Sequence, residues 1–504
     1  MKIYFFIYNN AKINIKNIKN MQLKDLSLEE LLKLIESGEK TSEEIYDYFA
    51  KRVEKYDNKL WSFLTTDFNG HEKNKENTIL KWLPISLKDI FSKKWTITSW
   101  ASKMLENFKP PFTSTVVERL EEEGMSYIGK NNMDEFAMWG SGEKSAFKNT
   151  INPWGVNRIP GGSSSGWAAA VAAGLVPASL WTDTGWSVRQ PASLCWIIGF
   201  KPTYGRNSRF WVHAMASSLD CPATFTKTVK DSALLYNIMN GQDEKDMTSI
   251  QEKDIISDDI FSKTDLKGKK IWVPKEYFEE GLEENVKIQI QNAIKKMEEL
   301  WAEIKEITLP MTKYWVTTYY ILMPAEVSTN LARLDWLRYG HNSEKEFGNV
   351  DEMYQNNRGE GLWEEVKRRT IIGNYVLSAG FYDAYYKKAS QIRTLIIEDF
   401  DKAFEEVDAI VSPVSPEAAW KIWTKSTDPL KMYLADAYTI PASLAGLPGI
   451  SVPCGFVEDD GEKLPVWIQI LTQRLDEKWL FEIAHVYEQA VNLRSEMIPE
   501  GFED

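Results

Sequence analysis

"PGGSSSGWAAAVAAGLVPASLWTDTGWSVRQPAS", residues 160–193, decides how the rest of the chain is read. A Gly-Ser loop runs into a helix of small residues from about Trp167 to Ala173, Gly174 stops it, and a strand comes next at "LVPASL". A second polar loop, "TDTGWSVRQP", then carries Ser187. The same alternation continues outward. "LPISLKDIF" (83–91) is a short buried strand ending at Lys88 and Asp89, and "STVVERLEEEGMSYIGKNNMDEF" is helix, turn, strand and loop. "KKIWVPKEY", "AEIKEITLP", "VDAIVSPVSP" and "GISVPCGF" are further strands, and "EENVKIQIQNAIKKMEEL" is an amphipathic helix. Strands alternating with helices predict an α/β fold, a large sheet covered by helices on both faces.

Of the 504 residues, 43% are hydrophobic and 26% charged, the balance of an ordinary globular enzyme. A formal charge of −13 argues against a broad basic face for nucleic acid. No apolar run is long enough to span a membrane. The three cysteines, Cys195, Cys221 and Cys454, form no C-x-x-C pair, which points to a reducing compartment without disulfides or structural zinc. Residues 1–20 differ in character from the rest of the chain and are expected to be a disordered tail or the product of a mis-set start. Residues 21–504 are expected to form a single domain, with N-terminal helices over 27–57 behind two capping boxes, Ser27 to Glu30 and Thr41 to Glu44. A mostly helical insertion over about 315–400 is expected to cover one edge of the site.

"GGSSSG" alone is also the composition of a flexible linker. Here it feeds directly into a helix, whose first N–H groups are unpaired and point outward, a ready site for an anion or oxyanion. Two serine-bearing loops joined by one short helix can meet in space. A serine nucleophile needs a base, and the four histidines (His71, His213, His341 and His485) are scattered, with none in H-x-x-x-H spacing. Lysine serves if burial disfavours its charged form, and Lys88, ending an apolar strand, is well placed. A Ser–Ser–Lys relay would pass a proton from one serine through the other to neutral Lys88. The plainer alternative pairs Lys88 with Asp89 or another acid in a structural role.

Residues 80–230 resemble the amidase signature family, marked by "GGSSGG", "DTGGSIRQPA" and "GLKPTYGR"; here these stand as "GGSSSG", "DTGWSVRQPA" and "GFKPTYGR". The likeness runs over nearly the whole chain from Met21. It implies the amidase signature fold, a large mixed twisted sheet covered by helices on both faces. By position it implies Lys88 as catalytic lysine, Ser163 as a bridging serine carrying a cis peptide bond, and Ser187 as the acyl-accepting nucleophile. The amides of Thr184, Gly185 and Trp186 would form the oxyanion hole.

"NMDEFAMWGSGEKSAF", "STNLARLDWLRYG", "EEVKRRTIIGNYVLSAGFYDAYYKKA" and "YTIPASLAGLPGISVPCGF" are similar to the family of A subunits of the glutamyl-tRNA(Gln) amidotransferases. This implies that Tyr319, Arg368 and Asp436 hold the substrate glutamine, with Tyr320 and Arg369 as neighbouring alternatives. Arg suits a bidentate grip on the α-carboxylate and Asp the α-ammonium. A solvated helix face would equally account for Arg368, and a core position for Tyr319. The implied function is that of a cytoplasmic glutaminase, in a heterotrimer with the B and C subunits. It would supply ammonia for converting Glu-tRNA(Gln) to Gln-tRNA(Gln). No cofactor or metal is expected in this chain, ATP and Mg are expected in the partner, and tRNA is touched only through the partner. The competing readings are a stand-alone amidase on other small amides and a catalytically silent scaffold.

The chain has 20 Trp against 28 Gly, whereas average usage of about 7% would give roughly 35 glycines. Trp301, following a helix, and Trp186, in the oxyanion turn, stand where local physics asks for glycine. The resemblance has glycine also at Trp82, Trp95, Trp139, Trp181, Trp196, Trp211, Trp272, Trp336, Trp363, Trp423 and Trp467, whereas Trp154 matches a family tryptophan. The expectation is that the source reads UGA as glycine and that these tryptophans come from reading the same codon as tryptophan. Were the tryptophans real, the silent scaffold would gain weight.

Overall fold

The computed structural model describes residues 18, 21–69, 77–279, 281–335, 340–425, 428–496 and 499–504. His71, Trp336 and all of 1–20 except Ile18 lie outside them; Ile18 itself is buried in the core. The strands are β1 (Phe63–Thr66), β2 (Pro84–Lys88), β3 (Ser126–Asn131), β4 (Ala178–Asp183), β5 (Ile198–Lys201), β6 (Cys221–Thr226), β7 (Lys270–Pro274), β8 (Glu303–Ile307), β9 (Ala409–Pro413), β10 (Gly449–Asp459) and β11 (Glu462–Leu471). They form one sheet in the order β1-β3-β2-β4-β6-β5-β10-β11-β9-β7-β8. It is mixed: β2 is parallel to β3 and β4, and β7 to β8 and β9, while the remaining neighbours are antiparallel. This is the expected α/β architecture.

Local chemistry sets the element ends. At both N-terminal helices, Leu28–Glu36 and Ser42–Leu60, the capping box closes in both directions: the Glu30 amide donates to Ser27 Oγ at 3.2 Å and the Ser27 amide to Glu30 Oε2 at 2.9 Å. β4 begins at Ala178, later than "LVPASL" suggests, because Pro177 has no N–H to give a ladder. The small-residue helix spans Ser165–Ala172 and is buried throughout, as is the helix Arg189–Cys195, which packs on β5, β10 and β11. The helices Trp315–Leu331, Val350–Gly361, Glu364–Leu377 and Lys388–Phe404 make the described part of 315–400 largely helical. Among the described residues no helix is long and apolar enough to cross a membrane.

Sixteen non-glycine residues among those described have φ in the left-handed region, and eight of them are tryptophans: Trp61, Trp82, Trp95, Trp100, Trp196, Trp211, Trp301 and Trp423. Three mark helix ends. Trp61 and Trp196 are the left-handed caps after Leu60 and Cys195, and Trp301, at φ 72°, donates to Glu298 O after the helix Glu284–Glu299. A Cβ in this conformation crowds the following carbonyl, and a bulky residue there is a true outlier.

Candidate active site

β2 and β4 are parallel neighbours, so Lys88 and the pair Thr182–Asp183 emerge at the same end of the sheet. Lys88 is fully buried. Its Nζ lies 2.8 Å from Ser163 Oγ, 3.3 Å from Ser164 Oγ and 3.5 Å from Thr182 Oγ1. Ser163 Oγ lies 3.0 Å from Ser187 Oγ, and the Ser163 amide donates to Ser187 Oγ at 3.3 Å. Gly162–Ser163 is a cis peptide. The structure thus brings the three predicted residues into one continuous chain of hydrogen bonds. Asp89 faces elsewhere: its Oδ2 accepts from the Ser99 amide at 2.9 Å, and Lys130 is its nearby cation.

Burial pulls the Lys88 ammonium down to about 7, against the opposing pull of the Asp134, Asp183 and Asp220 charges. A neutral amine is therefore accessible near neutral pH. Burial likewise raises Asp134 to about 7, although the Gly142 and Lys144 amides each donate to it at 3.0 Å.

Sequence reasoning assigns no role to the frame of the Ser187 turn. Burial alone would raise the Asp183 carboxyl, but the Arg189 guanidinium holds it below its usual range. Arg189 Nη2 and Nε donate to Asp183 Oδ1 and Oδ2 at 3.0 and 3.1 Å. Arg189 also donates to Gly185 O at 2.7 Å, Thr439 O at 2.8 Å and Ser443 Oγ at 2.9 Å. It thereby ties both ends of the turn to the C-terminal part of the chain. Gln190 Oε1 accepts from the Gly162 amide at 3.1 Å, linking the two serine loops. The only signal in the sequence is an Asp and an Arg flanking "TGWSV". Among the described residues the Gly185 and Trp186 amides donate to no acceptor, leaving both free beside Ser187.

Of the substrate-side candidates, Tyr319 and Arg368 lie on the covering helices Trp315–Leu331 and Glu364–Leu377, and Asp436 lies in the turn between the helices Pro429–Leu434 and Ile440–Leu444. Tyr319, fully buried, sets its hydroxyl against Gly185, where a Cβ would come within 2.8 Å of it. Tyr320 donates to Asp436 Oδ2 at 3.0 Å, and burial raises the Asp436 carboxyl well above its usual range. The two neighbouring arginines differ. The Arg368 side chain is 44% exposed and pairs with Glu365, whereas that of Arg369 is 1% exposed. The Arg369 guanidinium lies 5.6 Å from both the Tyr320 and Tyr433 rings, and its Nε donates to Glu365 Oε1 at 2.8 Å. Adjacent residues on a helix point about 100° apart, so only one of the two faces the pocket. Arg369 is the one turned inward, while Arg368 is turned toward solvent.

Trp186 lies in this same space, buried, with its ring centroid 5.6 Å from that of Tyr319 and 6.3 Å from that of Tyr320. Among the described residues Trp186 Nε1, Tyr319 OH and Asp436 Oδ1 are buried and have no hydrogen-bond partner.

The amidase family profile matches residues 44–481. The A subunit of the Thermoanaerobacter pseudethanolicus glutamyl-tRNA(Gln) amidotransferase is 47% identical over 482 residues, covering 93% of this chain and 97% of the relative. Its namesake from Persephonella marina is 46% identical, covering 92% and 97%. The crystal structure of the Thermotoga maritima A subunit superposes with a TM-score of 0.79 at 39% identity, covering 93% of this chain and 96% of that one.

Proposed function

Because the chain belongs to the amidase family, we propose that it is the glutamine-hydrolysing component of a tRNA-dependent amidotransferase. The observation that carries this reading is the buried relay Lys88–Ser163–Ser187, with contacts of 2.8 and 3.0 Å. Neutral Lys88 accepts a proton from Ser163 as Ser163 accepts that of Ser187, and Ser187 Oγ attacks the side-chain amide carbon of glutamine. The tetrahedral oxygen takes hydrogen bonds from the free amides of the 184–186 turn. Returned along the relay, the proton reaches the leaving nitrogen, and ammonia departs from a glutamyl ester on Ser187. Water, deprotonated by the same relay, hydrolyses that ester and releases glutamate.

Asp436 pairs with the substrate α-ammonium and Arg369 with its α-carboxylate, while the Tyr319 hydroxyl borders the turn. Ammonia passes to the B and C subunits, which hold ATP and Mg, contact the tRNA and amidate Glu-tRNA(Gln) in the cytoplasm. This division of labour suits a chain of formal charge −13. The test is ammonia release from glutamine, measured with and without the partner subunits, beside hydrolysis of simple alkylamides. Glutamine turnover that rises with the partners supports the reading. Alkylamide hydrolysis without them, at equal or greater kcat/KM, makes the chain a stand-alone amidase.

A further inference from the structure

We propose that the natural protein carries glycine at the eight left-handed tryptophan positions and at position 186, and that the indole of Trp186 occupies the space of the substrate. The pocket half of this proposal rests on the reading of Ser187 as acyl acceptor; the backbone half does not.

The backbone half rests on a shared conformation and nothing else. Tryptophan is 20 of 504 residues, which would place fewer than one among sixteen left-handed positions, yet eight are found. They share no packing role: Trp61, Trp95, Trp301 and Trp423 are exposed, Trp100 and Trp196 are buried, and Trp82 and Trp211 are half-buried. Their common property is a φ that glycine adopts freely and a Cβ resists. Two of the eight, Trp61 and Trp100, are not singled out by the sequence, so the backbone extends the set independently. Trp154 is the internal contrast. It lies outside the left-handed region, and its Nε1 donates to Cys195 O at 3.0 Å. A single change in how one codon is read converts a whole class of positions together and leaves such a tryptophan alone.

The pocket half rests on unpaired atoms. Buried polar groups in native proteins are paired, and here the indole fills a space lined by Tyr319 OH and Asp436 Oδ1 without pairing with either. A Cβ on Gly140 would lie 3.2 Å from Trp186 Nε1 and 3.5 Å from Asp436 Oδ1, so the indole stands at the carboxylate assigned to the substrate ammonium. With glycine at 186 that volume empties beside Ser187, and Asp436 and Tyr319 gain room for a ligand bearing donors and acceptors.

Peptide masses of the protein purified from its source test this without reference to activity. Glycine at all eight positions and at 186, with tryptophan at 154, is the expected result. Tryptophan at the eight overturns the proposal, and tryptophan at 186 alone overturns its pocket half. In a second measurement, chains made with tryptophan or glycine at the nine positions are compared for glutamine binding by calorimetry. At least 100-fold tighter binding to the glycine chain is expected, and equal binding overturns the pocket half. If glycines are found and no glutamine is hydrolysed, the functional reading fails and the backbone half stands.

Discussion

At the scale of single residues, the base is the most testable assignment. Lys88 acts only when neutral, and burial holds it at about 7, so kcat/KM for glutamine is expected to rise as pH climbs through about 7 and then level off. A profile flat from acid to alkaline pH would remove Lys88 from the proton path. Lys88→Met and Ser163→Ala are each expected to lower kcat by about 10²–10⁴-fold or more, because members of a relay fail together. At the substrate end, Arg369→Lys loses the planar fork and is expected to raise the glutamine KM by about 10- to 100-fold with little change in kcat. Arg368→Ala, on an exposed side chain, is expected to leave KM within about twofold. Steady-state kinetics of the pair decide the matter. The relay is legible in the sequence because its members lie in loops whose composition is unusual. The arginine is not, since "KRR" does not reveal which way the helix is turned.

At the scale of elements, the Ser187 turn is held by a buried ion pair rather than by secondary structure. Asp183 ends β4, Arg189 begins the next helix, and both side chains are fully buried. Removing one partner leaves an uncompensated buried charge, so Arg189→Met is expected to destabilise the protein by about 3–5 kcal/mol. It should also lower kcat by loosening Ser187; urea unfolding followed by activity measured well below the midpoint separates the two effects. Most elements can be placed from periodicity and capping boxes, although the start of β4 is set by Pro177, which the strand reading of "LVPASL" passes over. The order of strands cannot, because neighbours such as β5 and β10 are joined by hydrogen bonds between residues far apart in sequence. The clamp escapes notice for the same reason, as Thr439 and Ser443 are distant partners of Arg189.

At the scale of the molecule, eight left-handed tryptophans at about 1–2 kcal/mol each rival a typical total stability of about 5–15 kcal/mol. Trp95→Gly and Trp301→Gly, where the residue is 63% and 72% exposed and little burial is lost, are each expected to stabilise by about 1 kcal/mol in denaturant titrations. Unchanged midpoints would show that these turns accept a Cβ without strain. The sheet carries a different consequence, one of time. Strands up to β6 form one flank and β7, β8 and β9 the other, and among the described strands only the β10–β11 hairpin joins them in the sheet. A ribosome adding about 5–20 residues per second needs on the order of tens of seconds to travel from Thr226 to Leu471. For most of that interval the edge of β5 stands open to any passing strand, and β9 joins it from its own synthesis until β11 emerges, the situation in which nascent chains aggregate. Assembly of the sheet is therefore governed by the last part of it to be synthesised, and the demand for chaperones falls in the interval before Leu471 emerges.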